Sequence, residues 1–99
     1  VQSFYPERFE RDMATTEAEW LQRLPQAIGA PGFTREGASV RVALGSGVLH
    51  IRWRPLPPRV IALLRMSRMA VDFAFEGVDV ELRQRFMQRF DLTMQRGGG

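Results

Sequence analysis

The stretch Arg59 to Glu76, RVIALLRMSRMAVDFAFE, sets the tightest limit on what this chain can fold into. Its second half alternates strictly, with Met69, Val71, Phe73 and Phe75 set against Ala70, Asp72, Ala74 and Glu76. A period of two marks a strand with one buried face. Folded at Ser67-Arg68, the whole stretch reads as a β-hairpin. Its facing pairs are Met66/Met69, Leu64/Val71, Ala62/Phe73 and Val60/Phe75, all apolar. The reverse face pairs Arg65 with Ala70, Leu63 with Asp72 and Ile61 with Ala74. This register predicts strands over 59–66 and 69–76. A helix opening at Pro57-Pro58 is the rival reading, but Ser67 interrupts its apolar stripe of Val60, Leu63 and Leu64. Against the hairpin, the turn lacks the Asn-Gly or Gly signal that two-residue loops favour.

A second hairpin is expected over Ala38 to Arg54, with Ser46-Gly47 at its tip. It pairs Leu44 with Leu49, Val42 with Ile51 and Val40 with Trp53. The reverse face sets Ala43 against His50, Arg41 against Arg52, and Ser39 against Arg54. Two arginines directly opposite repel, so that position needs a counter-charge, a bound anion or open water. Between the hairpins, Arg54-Pro55-Leu56-Pro57-Pro58-Arg59 reads as a stiff crossing, too short to divide domains.

Two helices complete the pattern. Thr16-Glu17-Ala18-Glu19 has the form of a capping box, and Trp20, Leu21, Leu24 and Ile28 follow on one side. Pro25 is expected to end or kink this helix, and Gly29-Ala30-Pro31-Gly32 to close it. Residues 8–14 before it read as an edge strand with Phe9, Arg11 and Met13 on one face, the rival being a helix that stacks Phe9 over Met13, and Val1 to Pro6 read as a frayed lead-in. Phe33 to Gly37 reads as a connector. Asp79 is the expected N-cap of the last helix, 80–95, with Leu82, Phe86, Phe90 and Thr93 or Met94 as its buried stripe, Arg83 facing outward and Gly97 as its C-cap. Two one-sided hairpins must cover their apolar faces, and the helices are the available cover. The expected fold is α+β: an antiparallel four- or five-stranded meander with two helices packed on one face, an open-faced two-layer sandwich. Met13, Met66, Met69 and Met87 are expected to fill gaps between the layers.

The chain has 99 residues, enough for a single domain over 1–99 with its own core. It has no cysteine, which excludes disulfides, thiolate metal sites and cysteine nucleophiles. No apolar run reaches the roughly 18 residues that span a bilayer, so no membrane role is expected and a cytoplasmic location is. All 14 basic residues are arginine, with no lysine and no asparagine. GC-rich codon usage, and hence a bacterial genome of that kind, explains this more simply than phosphate recognition by the guanidinium fork.

No catalytic, cofactor or metal motif is legible. His50 is the single histidine and has no carboxylate near it in the expected pairing. Gly45-Ser46-Gly47 lacks the lysine and following helix of a phosphate loop. Charge is distributed unevenly: residues 1–30 carry three arginines and five acids, residues 35–68 seven arginines and one acid. The uncovered sheet face, with Arg41, His50, Arg52, Arg54, Ile61, Leu63, Arg65 and Asp72, is therefore the expected interaction surface. Val48, Ala70 and Ala74 are expected beside them. The expected role is a non-enzymatic binding domain that self-associates into a homodimer through this face. The alternative is nucleic-acid binding by Arg41, Arg52, Arg54, Arg59, Arg65 and Arg68. Stacking aromatics are missing from that face, because Trp53, Phe73 and Phe75 point to the core. A small apolar-ligand carrier is the further alternative and requires a cavity between helices and sheet.

Overall fold

A computed structural model describes residues 4–30 and 32–98. Val1 to Ser3 of the expected lead-in, Pro31 of the closing Gly-Ala-Pro-Gly segment, and Gly99 lie outside the described residues. The elements run β1 (Arg8–Met13), α1 (Glu17–Ile28), β2 (Thr34–Glu36), β3 (Ser39–Leu44), β4 (Gly47–Ile61), β5 (Leu64–Glu76) and α2 (Val80–Gly98). The five strands form one antiparallel sheet in the order β1-β5-β4-β3-β2. Both helices pack on one face. The fold is an α+β two-layer sandwich, as the sequence predicts.

The core lies between the layers. Val40, Val42, Leu49, Ile51, Trp53, Met69, Val71, Phe73 and Phe75 line the helix side of the sheet. Trp20, Leu24 and Ile28 of α1 and Phe86, Met87 and Phe90 of α2 close over them. Trp20 meets Trp53 edge-on at 5.6 Å and Phe90 at 6.0 Å, while Phe90 stands over Phe73 at 5.6 Å. Such aromatic contacts add roughly 0.5–1.5 kcal/mol each beyond area burial. The Trp20 indole N–H is buried and has no hydrogen-bond partner among the described residues.

The capping box at Thr16 forms as its sequence implies: the Thr16 hydroxyl accepts from the Glu19 amide, and the Glu19 carboxylate accepts from the Thr16 amide. These bonds hold the Glu19 carboxyl below its ordinary pKa. Pro25 does not end α1, which continues to Ile28. One missing donor is tolerated because Leu24, Ala27 and Ile28 are buried around it. Met13 and Met69 pack at the base of the sheet and Met87 in the core, but Met66 is exposed. Gly97 lies inside α2 rather than capping it.

The main correction concerns strand register. The turn falls at Ala62-Leu63, not Ser67-Arg68, so Ile61 pairs with Leu64, Val60 with Arg65 and Arg59 with Met66. Residues 59–66, expected as one strand, are the end of β4, the turn and the start of β5. The proline segment is not a crossing. It lies within β4, a single strand of 15 residues that continues past its last β3 pair at Arg52 to Ile61. A bulge between Leu56 and Arg59 takes up the extra residue. Prolines are tolerated here because β4 has no neighbour on its outer side once β3 has stopped. The other hairpin turns at Gly45-Ser46, one residue early. Its pairs shift by two, which keeps every side chain on its expected face: Val42 opposes Leu49 and Val40 opposes Ile51. Phe33 to Gly37 is not merely a connector, because Thr34–Glu36 adds the fifth strand beside β3.

Within the expected lead-in, Tyr5 is held, not frayed. Tyr5 is fully buried. Its backbone N–H donates to Gln84 Oε1 at 2.8 Å, and its carbonyl accepts from Gln84 Nε2 at 2.7 Å and Arg83 Nε at 2.9 Å. Arg83 is buried to reach this carbonyl, against the expectation that it faces outward. The Tyr5 hydroxyl donates to Asp91 Oδ2 at 2.6 Å, and Arg11 grips both oxygens of the same carboxylate. Burial, then the hydrogen bond to Asp91, pushes the Tyr5 phenol above its ordinary pKa. Burial acts to lower the Arg11 pKa, but the Asp91 carboxylate outweighs it and the net direction is upward.

Candidate functional site

Two surfaces hold the residues singled out from the sequence: the bare face of the sheet, and an arm formed by the far ends of β4 and β5. On the bare face the strand order brings side chains into rows. One row runs Thr34, Arg41, His50, Ala74 and Arg8; the next runs Glu36, Ser39, Arg52, Asp72 and Glu10. Arg41 thus faces His50, and the expected clash of Arg41 with Arg52 does not occur. Arg52 stands between Ser39 and Asp72. Arg54 lies 3.9 Å from Glu10, and His50 lies 3.4 Å from Glu76.

The counter-charges come from β1 and β5. On this face Arg8, Arg41, Arg52, Arg54 and Arg68 are matched in number by Glu10, Asp12, Glu36, Asp72 and Glu76. Ala70 and Ala74 are buried among these side chains. The face is therefore polar and balanced in charge, and it lacks the Ile-Leu-Ala patch expected from the other register.

Ile61, Leu63 and Arg65 are elsewhere. From Pro57 to Ser67 the ribbon has, among the described residues, no helix above it and no strand beside it. β3 stops where Ser39 meets Arg52, and β1 stops where Met13 meets Met69. The molecule measures 47 Å along its long axis and 22 Å along its short one. On the arm, Val60, Ile61, Leu64 and Met66 are 62, 55, 67 and 40% exposed, and Leu63 at the tip is fully so. Leaving apolar area wet forgoes about 25 cal/mol per Å². The arm also carries Arg59 and Arg65 and no acid.

Its two edges differ. Pro55, Pro57 and Pro58 interrupt the outer edge of β4, and prolines block strand addition. The outer edge of β5 from Leu64 to Ser67 has no proline and no neighbouring strand among the described residues. Ala62 adopts φ 54°, the one non-glycine residue with positive φ among those described. That conformation, usual for Gly at the first position of a type II′ turn, is what makes a two-residue loop possible here.

At the arm's base, on the helix side, lies a groove of about 330 Å³. Trp53, Pro55, Leu56 and Met69 give it an apolar floor, and Thr15, Glu17, Ser67 and Arg68 form its rim. The Trp53 indole donates to Glu17 Oε2 at 2.8 Å, tying the start of α1 to β4. Arg68 is fixed by Asp12 at 2.7 Å and by the Pro57 carbonyl at 3.1 Å. The hydrogen bond from Arg68 is also what holds the Asp12 carboxyl below its ordinary pKa.

Among the described residues no group of three or more His, Asp or Glu is placed to hold a metal, and no helix is long and apolar enough to cross a membrane. Comparison with protein-family models and with curated proteins finds no match. The sequence reading missed the arm. Its available signals were the apolar run Val60 to Leu64, which has no polar alternation, and the absence of acids from residues 56 to 68.

Proposed function

We propose that this chain is a non-enzymatic interaction domain that associates with a second copy of itself, and that the β4–β5 arm rather than the bare sheet face is the associating element. The observation that carries this reading is the set of large apolar side chains exposed on a two-stranded ribbon, Ile61, Leu64 and Met66 on one face, Val60 on the other and Leu63 at the tip. An isolated two-stranded ribbon is marginally stable in water, so a second layer or further strands would stabilise it. Symmetric pairing supplies both at once, since a two-fold repeats the same patch on each subunit. The free β5 edge favours strand-to-strand contact, and the prolines on β4 direct it to that side.

Nucleic-acid binding draws less support. Arg54 and Arg68 already have carboxylate partners, and Arg52 stands opposite Asp72. Arg41 and the arm residues Arg59 and Arg65 are what remains for phosphates.

Sedimentation equilibrium at tens of micromolar tests the proposal. The expected mass is that of two chains, and Leu63→Arg is expected to reduce it to one without changing the circular dichroism or the unfolding midpoint. A single-chain mass for the unmodified protein overturns the reading. Retardation of a mixed oligonucleotide that falls steeply with added salt, together with a single-chain mass, would place the arginines in its stead.

A further inference from the structure

We propose that the groove at the base of the arm is the receptor for the arm tip of a second copy, so that two chains exchange arms reciprocally. This rests on the self-association proposed above and specifies its geometry. The tip and the groove lie at opposite ends of the same ribbon. When two such ribbons pair antiparallel along their free β5 edges, each tip falls at the base of the other. One two-fold axis therefore fills both grooves. A chain cannot fill its own groove, because its arm extends away from it.

Size and charge agree. An apolar cavity of about 150 Å³ suffices for a benzene-sized guest. The groove, at about 330 Å³, has room for the Leu63 side chain and part of the turn. Its floor of Trp53, Pro55, Leu56 and Met69 is apolar, as the tip is. The arm carries arginines and no acid, whereas the groove rim presents Glu17 at the start of α1, and the rim's Arg68 is already neutralised by Asp12. By register Arg65 is on the same side of the ribbon as Ser67 and Met69, the side on which the groove opens. A partner's tip entering along the β5 edge therefore carries its Arg65 toward Glu17. The Arg65 side chain has no hydrogen bond or ion pair within its own chain among the described residues, so it is available for this pairing.

The chain has no cysteine, so engineered thiols report without background. Leu63→Cys and Thr15→Cys are prepared as separate proteins, tagged differently, and mixed under mild oxidation. Thr15 is on the groove rim but is not the capping residue, so α1 keeps its cap. The expected product is the mixed disulfide between position 63 of one copy and position 15 of the other. A dimer that gives only the 63–63 product, tip against tip, overturns the groove assignment and leaves self-association standing. A protein that sediments as a single chain overturns both. An independent check is charge reversal on the arm, which leaves the Trp53–Glu17 bond in place: Arg65→Glu is expected to weaken the dimer about fivefold, the scale of one exposed ion pair, and Arg65→Lys to keep it. A dimer as strong in Arg65→Glu as in the unmodified protein counts against the Arg65–Glu17 contact.

Discussion

The same two strands behave differently at their two ends. From Val48 to Arg52 and from Met69 to Ala74, β4 and β5 are the centre of the sheet, flanked by β3 and β1 and covered by the helices on one side. From Arg59 to Met66 they are paired in the same antiparallel manner but have neither neighbouring strand nor cover among the described residues. In the covered part, alternation decides everything: Leu49, Ile51 and Trp53 point in and His50, Arg52 and Arg54 point out. In the arm no inside exists. Ile61, Leu64 and Met66 continue the line of the bare face, while Val60 and Arg65 continue that of the helix face. Hydrogen-bonded pairing can therefore extend a ribbon beyond its core, but the far part depends on turn and backbone rather than burial. Such regions open most easily and are where partners bind.

Substitutions can break that contrast. The largest effect is expected in the covered part. Phe73→Ala removes a fully buried ring between Phe9 and Phe90 and should cost about 3–5 kcal/mol by denaturant unfolding. Leu63→Ala, measured below the association range, should stay within about 0.5 kcal/mol of the unmodified protein. Equal losses at the two positions would show that the arm is covered within the monomer.

Next in size is Gly47→Ala. A Cβ at Gly47 would stand 2.4 Å from the Glu76 and Gly77 backbone, where the β3–β4 turn meets the end of β5. Backbone cannot yield as a side chain does, so a loss of about 1–3 kcal/mol is expected from thermal or denaturant melting. Gly37→Ala meets nothing within 4 Å but has φ +60°, so it isolates the backbone cost from the steric one and should be milder.

The Tyr5 clamp gives a pH signature confined to the covered part. Tyr5 is the sole tyrosine, so the phenolate absorbance reports on it alone. Its pKa is raised in the folded state, chiefly by burial. Its contribution is complete below the unfolded value of 10.0 and is lost as pH rises through the higher folded value. Absorbance of the folded protein should titrate above pH 10.0, and unfolding midpoints should fall more steeply over that alkaline range than in Tyr5→Phe. A phenol that titrates at its ordinary value would remove the clamp.

The smallest effect belongs to the arm. Ala62→Gly relieves a left-handed non-glycine residue, whose conformational cost is about 1–2 kcal/mol. Part of that gain is offset by the greater freedom of glycine in the unfolded chain. Global stability should move little, whereas amide exchange of Val60 to Arg65 should slow. Faster exchange would mean that Ala62 does not limit the turn.

Much of the architecture follows from local pattern. The Thr16-x-x-Glu19 box places α1, the spacing of Phe86 and Phe90 gives α2 its buried side, and the strict alternation of Met69 to Glu76 makes that segment a strand. Each signal is written within a dozen residues and acts through one neighbour or one turn of helix. The same is true of which face most sheet residues occupy, because a register slip of two leaves a period-two pattern unchanged. For this reason Arg41, His50, Arg52, Arg54 and Asp72 reached the bare face even though Arg41 meets His50 rather than Arg52.

Tertiary structure decided the rest. Pairing Val60 with Phe75 or with Arg65 is equally regular on paper, and it is the neighbours that choose. With β1 and β3 flanking the body, His50 sits beside Ala74 and Ile51 beside Phe73, which pushes the turn out to Ala62-Leu63. That choice moved Ile61, Leu63 and Arg65 off the bare face and onto the arm. Tyr5 and Arg83 show the same logic at the other end of the molecule. Arg83, Gln84 and Asp91, the partners of Tyr5, are about 80 residues from it, a separation no local pattern encodes. A buried Arg83 is tolerated because the Tyr5 carbonyl is there to receive its N–H, and that carbonyl arrives only when β1 pairs with β5.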